Sequence, residues 1–248
     1  MTQKIKVGAV SYLNTKPLIY GIEQGMMKEM VDLVIDYPAA IAKQLLNNEI
    51  DAGLVPIAIL PELKEYHIIS DYGVACDGEV ASVCLFSDVP VGEIKTVLLD
   101  YQSRTSVELL KILLKEHWKI SPALIPASPG YEQQIGNTTA ALIIGDRALQ
   151  LQTSREHKYI YDLGLAWKLL TGLPFVFAMW VSNKKLPDDF VEAFNKANKA
   201  GLDHLDMVIL QNQIAGLDLF SYYTRFIKFQ LNEKMIEAKS LFLKRLNK

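Results

Sequence analysis

The chain has 248 residues, 26 Lys and Arg against 28 Asp and Glu, a formal net charge of -2 and four histidines, which excludes a binder drawn to nucleic acid by bulk charge. Half the residues are apolar and 22% are charged, too hydrophobic a mixture for disorder. A chain of this length buries roughly 70 to 75% of its unfolded surface without staples, as one large domain or two small ones.

Short apolar runs alternate with longer amphipathic ones from the start. The pattern predicts a strand over 5–10, a helix over 16–24, a strand over 31–36, a helix over 38–47 and a strand over 52–55. This βαβα order implies a parallel sheet covered by helices. Gly21 and Gly25 read as stops for the first helix, and Asn47-Asn48 as the stop for the second. An apolar run over 80–86 is then closed by Ser87-Asp88-Val89-Pro90. The α/β pattern restarts with a strand over 96–99, a long helix over 105–117, a strand over 140–144 and a short helix over 146–150. A second apolar run over 175–181 ends at Ser182-Asn183. The two runs read as paired crossovers between lobes. Three helical stretches follow: one after Leu186-Pro187-Asp188-Asp189, one within 214–229, and one over 232–246. The last keeps Met235, Ala238, Leu241, Phe242 and Leu246 at helical spacing. The expected organisation is a discontinuous lobe of residues 1–88 and 180–248 and a second lobe of residues 89–179.

Ligands of open α/β folds bind at the carboxyl edge of the sheet, where strand-to-helix turns present backbone N–H groups. Two turns are rich in hydrogen-bonding side chains. The first is Ser11-Tyr12-Leu13-Asn14-Thr15-Lys16-Pro17, with Pro17 suited to a first helical turn. Capping by Asn14 or Thr15 is the simpler reading of its spacing. The second, Tyr101-Gln102-Ser103-Arg104-Thr105-Ser106, opens the helix carrying Leu109, Leu110, Leu113 and Leu114. A carboxylate could rest on Ser103, Thr105 and Ser106 at that positive helix end. Ser103 or Thr105 could equally cap the helix, with Glu108 completing a capping box with Thr105. Gly145-Asp146 closes the strand over 140–144, where Asp146 reads as an N-cap or as support behind the site. An anionic ligand would repel it unless it were protonated or paired.

Cys76 and Cys84 stand eight apart with no second pair, and His67, His117, His157 and His204 are scattered, so the sequence supports no metal site and no disulfide framework. A reducing, cytoplasmic setting is expected. Met1-Thr2-Gln3-Lys4 leads straight into the first strand without a leader-like run, and no apolar stretch nears the ~18 to 20 residues of a membrane span. There is no Gly-x-Gly-x-x-Gly, no Walker loop and no Gly-x-Ser-x-Gly elbow.

At Ser11-Tyr12-Leu13-Asn14-Thr15-Lys16-Pro17-Leu18 the chain resembles the chorismate dehydratases of the futalosine route to menaquinone. The resemblance continues at Gly78-Glu79-Val80-Ala81-Ser82-Val83, Ser103-Arg104-Thr105-Ser106, Ile144-Gly145-Asp146-Arg147-Ala148-Leu149, Tyr161-Asp162-Leu163-Gly164, Trp167 and Thr171-Gly172-Leu173-Pro174-Phe175-Val176-Phe177-Ala178. It implies a type II periplasmic-binding-protein-like α/β fold: two lobes, two crossover strands and a central cleft. It also implies an enzyme without cofactor or metal, acting on a small dicarboxylate, chorismate, as a monomer or homodimer, with no nucleic-acid or membrane partner. The implied catalytic residues are Asn14 and Ser82. Ser11, Tyr12, Ser103, Arg104, Thr105, Ser106, Gly145, Asp146, Thr171 and Gly172 are expected to bind substrate, although core packing is the simpler role for Trp167.

The implied reaction removes the ring C3 proton of chorismate, gives a carbanion conjugated to the ring carboxylate, and expels the C4 hydroxyl to leave 3-[(1-carboxyvinyl)oxy]benzoate. The motifs contain no evident His or Glu base, which leaves the substrate's own side-chain carboxylate to take the proton, with Asn14 orienting it or assisting the leaving hydroxyl. Two other readings share the fold: a protein that captures a carboxylate without chemistry, and the sibling dihydroxynaphthoate synthase.

Overall fold

The computed structural model describes residues 4–246. Met1 to Gln3, on which the expectation about the chain start rests, lie outside them. The elements run β1 (Ile5–Val10), α1 (Lys16–Glu23), β2 (Val31–Asp36), α2 (Pro38–Leu46), β3 (Ala52–Pro56), β4 (His67–Cys76), β5 (Val83–Ser87), β6 (Thr96–Leu99), α3 (Thr105–Glu116), β7 (Ala123–Pro126), β8 (Thr139–Ile144), α4 (Gly145–Ser154), β9 (Tyr159–Asp162), α5 (Leu163–Thr171), β10 (Phe175–Ser182), α6 (Asp188–Asp203), α7 (Leu205–Gln211), α8 (Leu219–Ser221), a π-turn Tyr222–Phe226, β11 (Lys228–Gln230) and α9 (Glu233–Leu246).

The strands form two sheets, ordered β11-β4-β10-β3-β1-β2 and β7-β6-β8-β5-β9. Each is mixed, which corrects the expected parallel sheet: β1 runs parallel to β2 and β3, while β10 is antiparallel to β3 and β4. In the second sheet β6 is parallel to β7 and β8, and β5 is antiparallel to β8 and β9. The reversed strands β5 and β10 are the apolar runs that follow each change of sheet, and the short edge strand β11 is antiparallel to β4 as well.

Those runs are not themselves the crossings. β5 pairs wholly in the second sheet and β10 wholly in the first, so sheet membership changes earlier than the expected divisions at 88/89 and 179/180. The chain leaves the first sheet after Cys76 and rejoins it at Phe175. An apolar run reports burial on both faces of a sheet, not a passage between sheets. In β5, Val83 and Leu85 face the main core, while Cys84 and Phe86 face a smaller cluster with Leu98, Tyr131, Ala141, Ile143 and Ala148. Period-two alternation thus buries both faces and hides itself from a hydropathy reading.

Both ends of the chain serve the first sheet. Helix α1 lies along α6 at glycine contacts: a Cβ on Gly201 would run into the Pro17 carbonyl, and one on Gly21 into the backbone of Ala197. Gly21 is therefore a packing residue inside α1 and not its stop, whereas Gly25, at φ 86°, does turn the chain out of that helix. The helical stretch expected within 214–229 is α8 with the π-turn, and it ends at edge strand β11, where Lys228 and Gln230 pair with β4. Among the described residues no helix is long and apolar enough to cross a membrane.

Candidate active site

The turn after β1 and the turn after β6 meet between the two sheets. They enclose a cleft with Val10, Leu54, Val74, Val83, Ile144 and Phe177 as apolar walls and Tyr12, Asn14, Thr15, Ser82, Ser103, Thr105 and Ser106 as polar groups, beside Gly145. Its atom-free space is about 530 Å³, with the mouth and adjoining open solvent included. Among the described residues, no charged side chain lines it. An anion held there would rest on hydroxyls, amides and the N-terminal end of α3.

The strand-to-helix turns deliver these groups as the sequence anticipates, but the hydrogen bonds differ. Thr15 occupies the cap position of α1 without capping it; its hydroxyl donates to Asn14 Oδ1 at 3.3 Å. At α3 the Ser103 hydroxyl accepts from the Ser106 N–H at 3.1 Å, so Ser103 does the capping. No Thr105–Glu108 box forms: Thr105 Oγ1 accepts from the Ala58 N–H at 3.2 Å, and Glu108 pairs with Lys111 at 2.7 Å. Thr105 and Ser82 are buried at 2% and 0% exposure, so both hydroxyls are removed from competing water.

Gly145 has φ 66°, and a Cβ there would sit 2.8 Å from the Tyr12 ring. Only glycine lets Tyr12 approach the start of α4 this closely. The Gly145 N–H donates to the Ser82 carbonyl at 2.8 Å. Asp146 does not cap α4, whose cap position is Ile144. Its Oδ1 accepts from the Leu13 N–H at 3.0 Å, and burial raises its carboxyl above the ordinary aspartate range. Asp146 thus pins the turn that carries Asn14 and stays out of the cavity.

Four more expected binding residues lie away from it, besides Asp146. Ser11 is exposed, with its N–H donating to the Asp36 carbonyl at 3.0 Å. Arg104 points to Glu62 at 2.5 Å, a pair exposed at 42% and 46%, where solvent screening leaves little energy. Thr171 closes α5 by donating to the Trp167 carbonyl at 2.8 Å, and Gly172 is the left-handed cap at φ 75°. The Thr-Gly pair is helix-end chemistry.

Sequence reasoning missed two groups. Asp100, at the carboxyl end of β6, is 2% exposed and receives Arg147 Nη2 at 2.7 Å, the Tyr131 hydroxyl at 2.8 Å and the Ile144 N–H at 3.0 Å. Arg147 also donates to Glu132 Oε1 at 2.6 Å and Gln102 Oε1 at 3.1 Å, and Gln102 accepts from the Tyr12 hydroxyl. Burial, with the Asp100 charge next, pushes the Tyr12 phenol up, so it remains a neutral donor. An Asp ending an apolar strand was the available signal for this network. The second group is Tyr222, whose hydroxyl reaches Ser82 at 2.8 Å; nothing local in its sequence marks it.

Among the described residues, no three His, Cys, Asp or Glu side chains are grouped to hold a metal ion. Both cysteines are free and buried.

The family model described as menaquinone biosynthesis matches residues 5–248. A chorismate dehydratase from Thermus thermophilus is 30% identical over 223 residues, covering 80% of this chain and 78% of that protein. One from Campylobacter jejuni is 28% identical over 218 residues, covering 86% and 82%. The periplasmic aliphatic sulphonate binding protein SsuA from Escherichia coli superimposes with a TM-score of 0.66 at 14% identity, over 100% of this chain and 91% of that one; that likeness establishes the two-lobed binding-protein fold alone. With the family model spanning nearly its whole length, the chain belongs to the menaquinone biosynthesis family.

Proposed function

We propose that the protein is a lyase that dehydrates chorismate to 3-[(1-carboxyvinyl)oxy]benzoate in the futalosine route, working in the cytoplasm without cofactor. The observation that carries this reading is the cleft itself: Asn14, Ser82, Ser103, Thr105 and Ser106 line it together with apolar walls and, among the described residues, no charged side chain. The apolar walls suit a six-membered carbon ring. The hydroxyls and the α3 terminus suit its carboxylates.

The chemistry asks for little more. The C3 proton passes to the substrate's side-chain carboxylate, the electron pair spreads into the ring carboxylate, and the C4 hydroxide leaves as the ring aromatises. Neutral donors fixed in a dry cleft stabilise the growing charge without reorganising at the moment of reaction. Asn14, in the turn pinned by Asp146, orients the accepting carboxylate or the departing hydroxyl.

Incubating the purified protein with chorismate and following the aromatic enol ether by absorbance and proton NMR tests the reading. Asn14→Ala is expected to lower kcat by about 100- to 1,000-fold, the range for loss of one fixed donor. Normal turnover by that variant would sink the role of Asn14. Tight chorismate binding without product would favour a capture protein.

A further inference from the structure

The π-turn Tyr222–Phe226 closes with the Ile227 N–H donating to the Tyr222 carbonyl at 3.1 Å. The wider turn sends neighbouring residues Tyr222 and Tyr223 both inward, each 3% exposed, with ring centroids 5.5 Å apart. Such turns recur at functional sites. The Tyr223 hydroxyl donates to the Leu13 carbonyl at 3.0 Å, which holds the turn after β1. The Tyr222 hydroxyl donates to Ser82 Oγ at 2.8 Å. Tyr222 stands behind Ser82 and does not line the cleft; it borders a separate surface pocket with Ala81 and Phe226.

A serine hydroxyl has one proton and two acceptor lone pairs. At Ser82 the phenol occupies a lone pair. With the phenol donating, the acceptor left for the Ser82 proton among the described residues is the Val80 carbonyl at 3.4 Å, well beyond the roughly 2.7 to 2.8 Å of a good O–H···O bond. The proton is therefore free to turn toward an oxygen in the cleft that Ser82 lines. A donor feeding the Ser82 oxygen also polarises its O–H, since linked hydrogen bonds strengthen one another in a dry interior. Burial keeps the phenol neutral and able to donate.

We propose that Tyr222 is a positioning residue, fixing Ser82 as a hydrogen-bond donor to the substrate oxygen on which charge grows. The role rests on the dehydratase reading, and it gives the C-terminal segment a part in a site otherwise built from the turns after β1, β6 and β8 and the loop before β5.

The test compares chorismate turnover by wild type, Tyr222→Phe, Ser82→Ala and the double variant. Tyr222→Phe should lower kcat about tenfold or more, with KM changed by less than about twofold. In the Ser82→Ala background the same substitution should cost nothing further, because the phenol then has no hydroxyl to orient. Wild-type kcat in Tyr222→Phe, or equal losses in both backgrounds, overturns the proposal while leaving the dehydratase reading intact. A wild type inert on chorismate overturns both. If Tyr222→Phe does not fold, 3-fluorotyrosine at position 222 keeps the ring and strengthens the donor. In that case kcat should rise by about twofold in Brønsted fashion, and an unchanged kcat overturns the role.

Discussion

Asp100 is a buried carboxylate whose neighbours explain why the turn after β6 holds its shape. Its oxygens take Arg147, the Tyr131 hydroxyl and the N–H groups of Gln102 and Ile144, and the Arg147 guanidinium lies 5.3 Å from the Tyr101 ring centre. Removing one partner of such a pair costs far more than the pair contributes, because the other charge is left without compensation. Arg147→Met is expected to destabilise the protein by about 3 to 5 kcal/mol, measured by urea unfolding, with Asp100→Asn partly restoring stability in the double variant. A loss below about 1 kcal/mol would mean that the three neutral donors suffice. None of this was legible locally: Arg147 lies 47 positions from Asp100 and 15 from Glu132. Asn14, Ser103, Thr105 and Ser106 stand in polar strand-to-helix turns that the sequence singles out, and Ser82 in a block marked by the family resemblance; all five line the cleft. Arg104 and Thr171 carry the same chemistry and point elsewhere, which only coordinates reveal.

At the scale of elements, β1, β2, β6 and α3 were readable because their apolar spacing is regular and capped. β4, β7 and β9 were not. Strand β4 mixes His67, Ser70 and Asp71 with apolar residues, β7 is exposed along its length at a sheet edge, and β9 has four residues. The packing of α1 on α6 depends on glycines that look like helix breakers in sequence. Gly201→Ala puts a methyl group against the Pro17 carbonyl, and forced overpacking of this kind costs about 1 to 3 kcal/mol. A thermal melt should show the drop in Tm, while Gly92→Ala, where nothing lies within 4 Å, should leave Tm nearly unchanged. The reverse order would remove the close-approach account of this helix pair.

At the scale of the molecule, one core cluster runs through both sheets, from Val7 and Leu54 to Leu85, Leu109 and Leu142. Bonds between the lobes add to it: Leu13 to Asp146, Ala58 to Thr105, the Ala39 N–H to the Gln102 carbonyl at 3.1 Å, and Arg245 to Glu116 at 3.3 Å. A shared core predicts cooperative unfolding, so calorimetry should record a single transition with matching calorimetric and van't Hoff enthalpies. Two resolved transitions would mean that the lobes unfold independently. The sequence by itself determined the α/β class and the regular strands and helices of the first half, because spacing and capping act over a few residues. Tertiary structure decided the mixed sheets, where the chain changes sheet, the Asp100–Arg147 network and the reach of Tyr222 to Ser82, because these join residues distant in sequence through burial that no local pattern encodes. The near-neutral charge of the whole chain fits a cleft in which an anion meets hydroxyls and amides placed by those long-range contacts, with no need for a surplus of basic side chains.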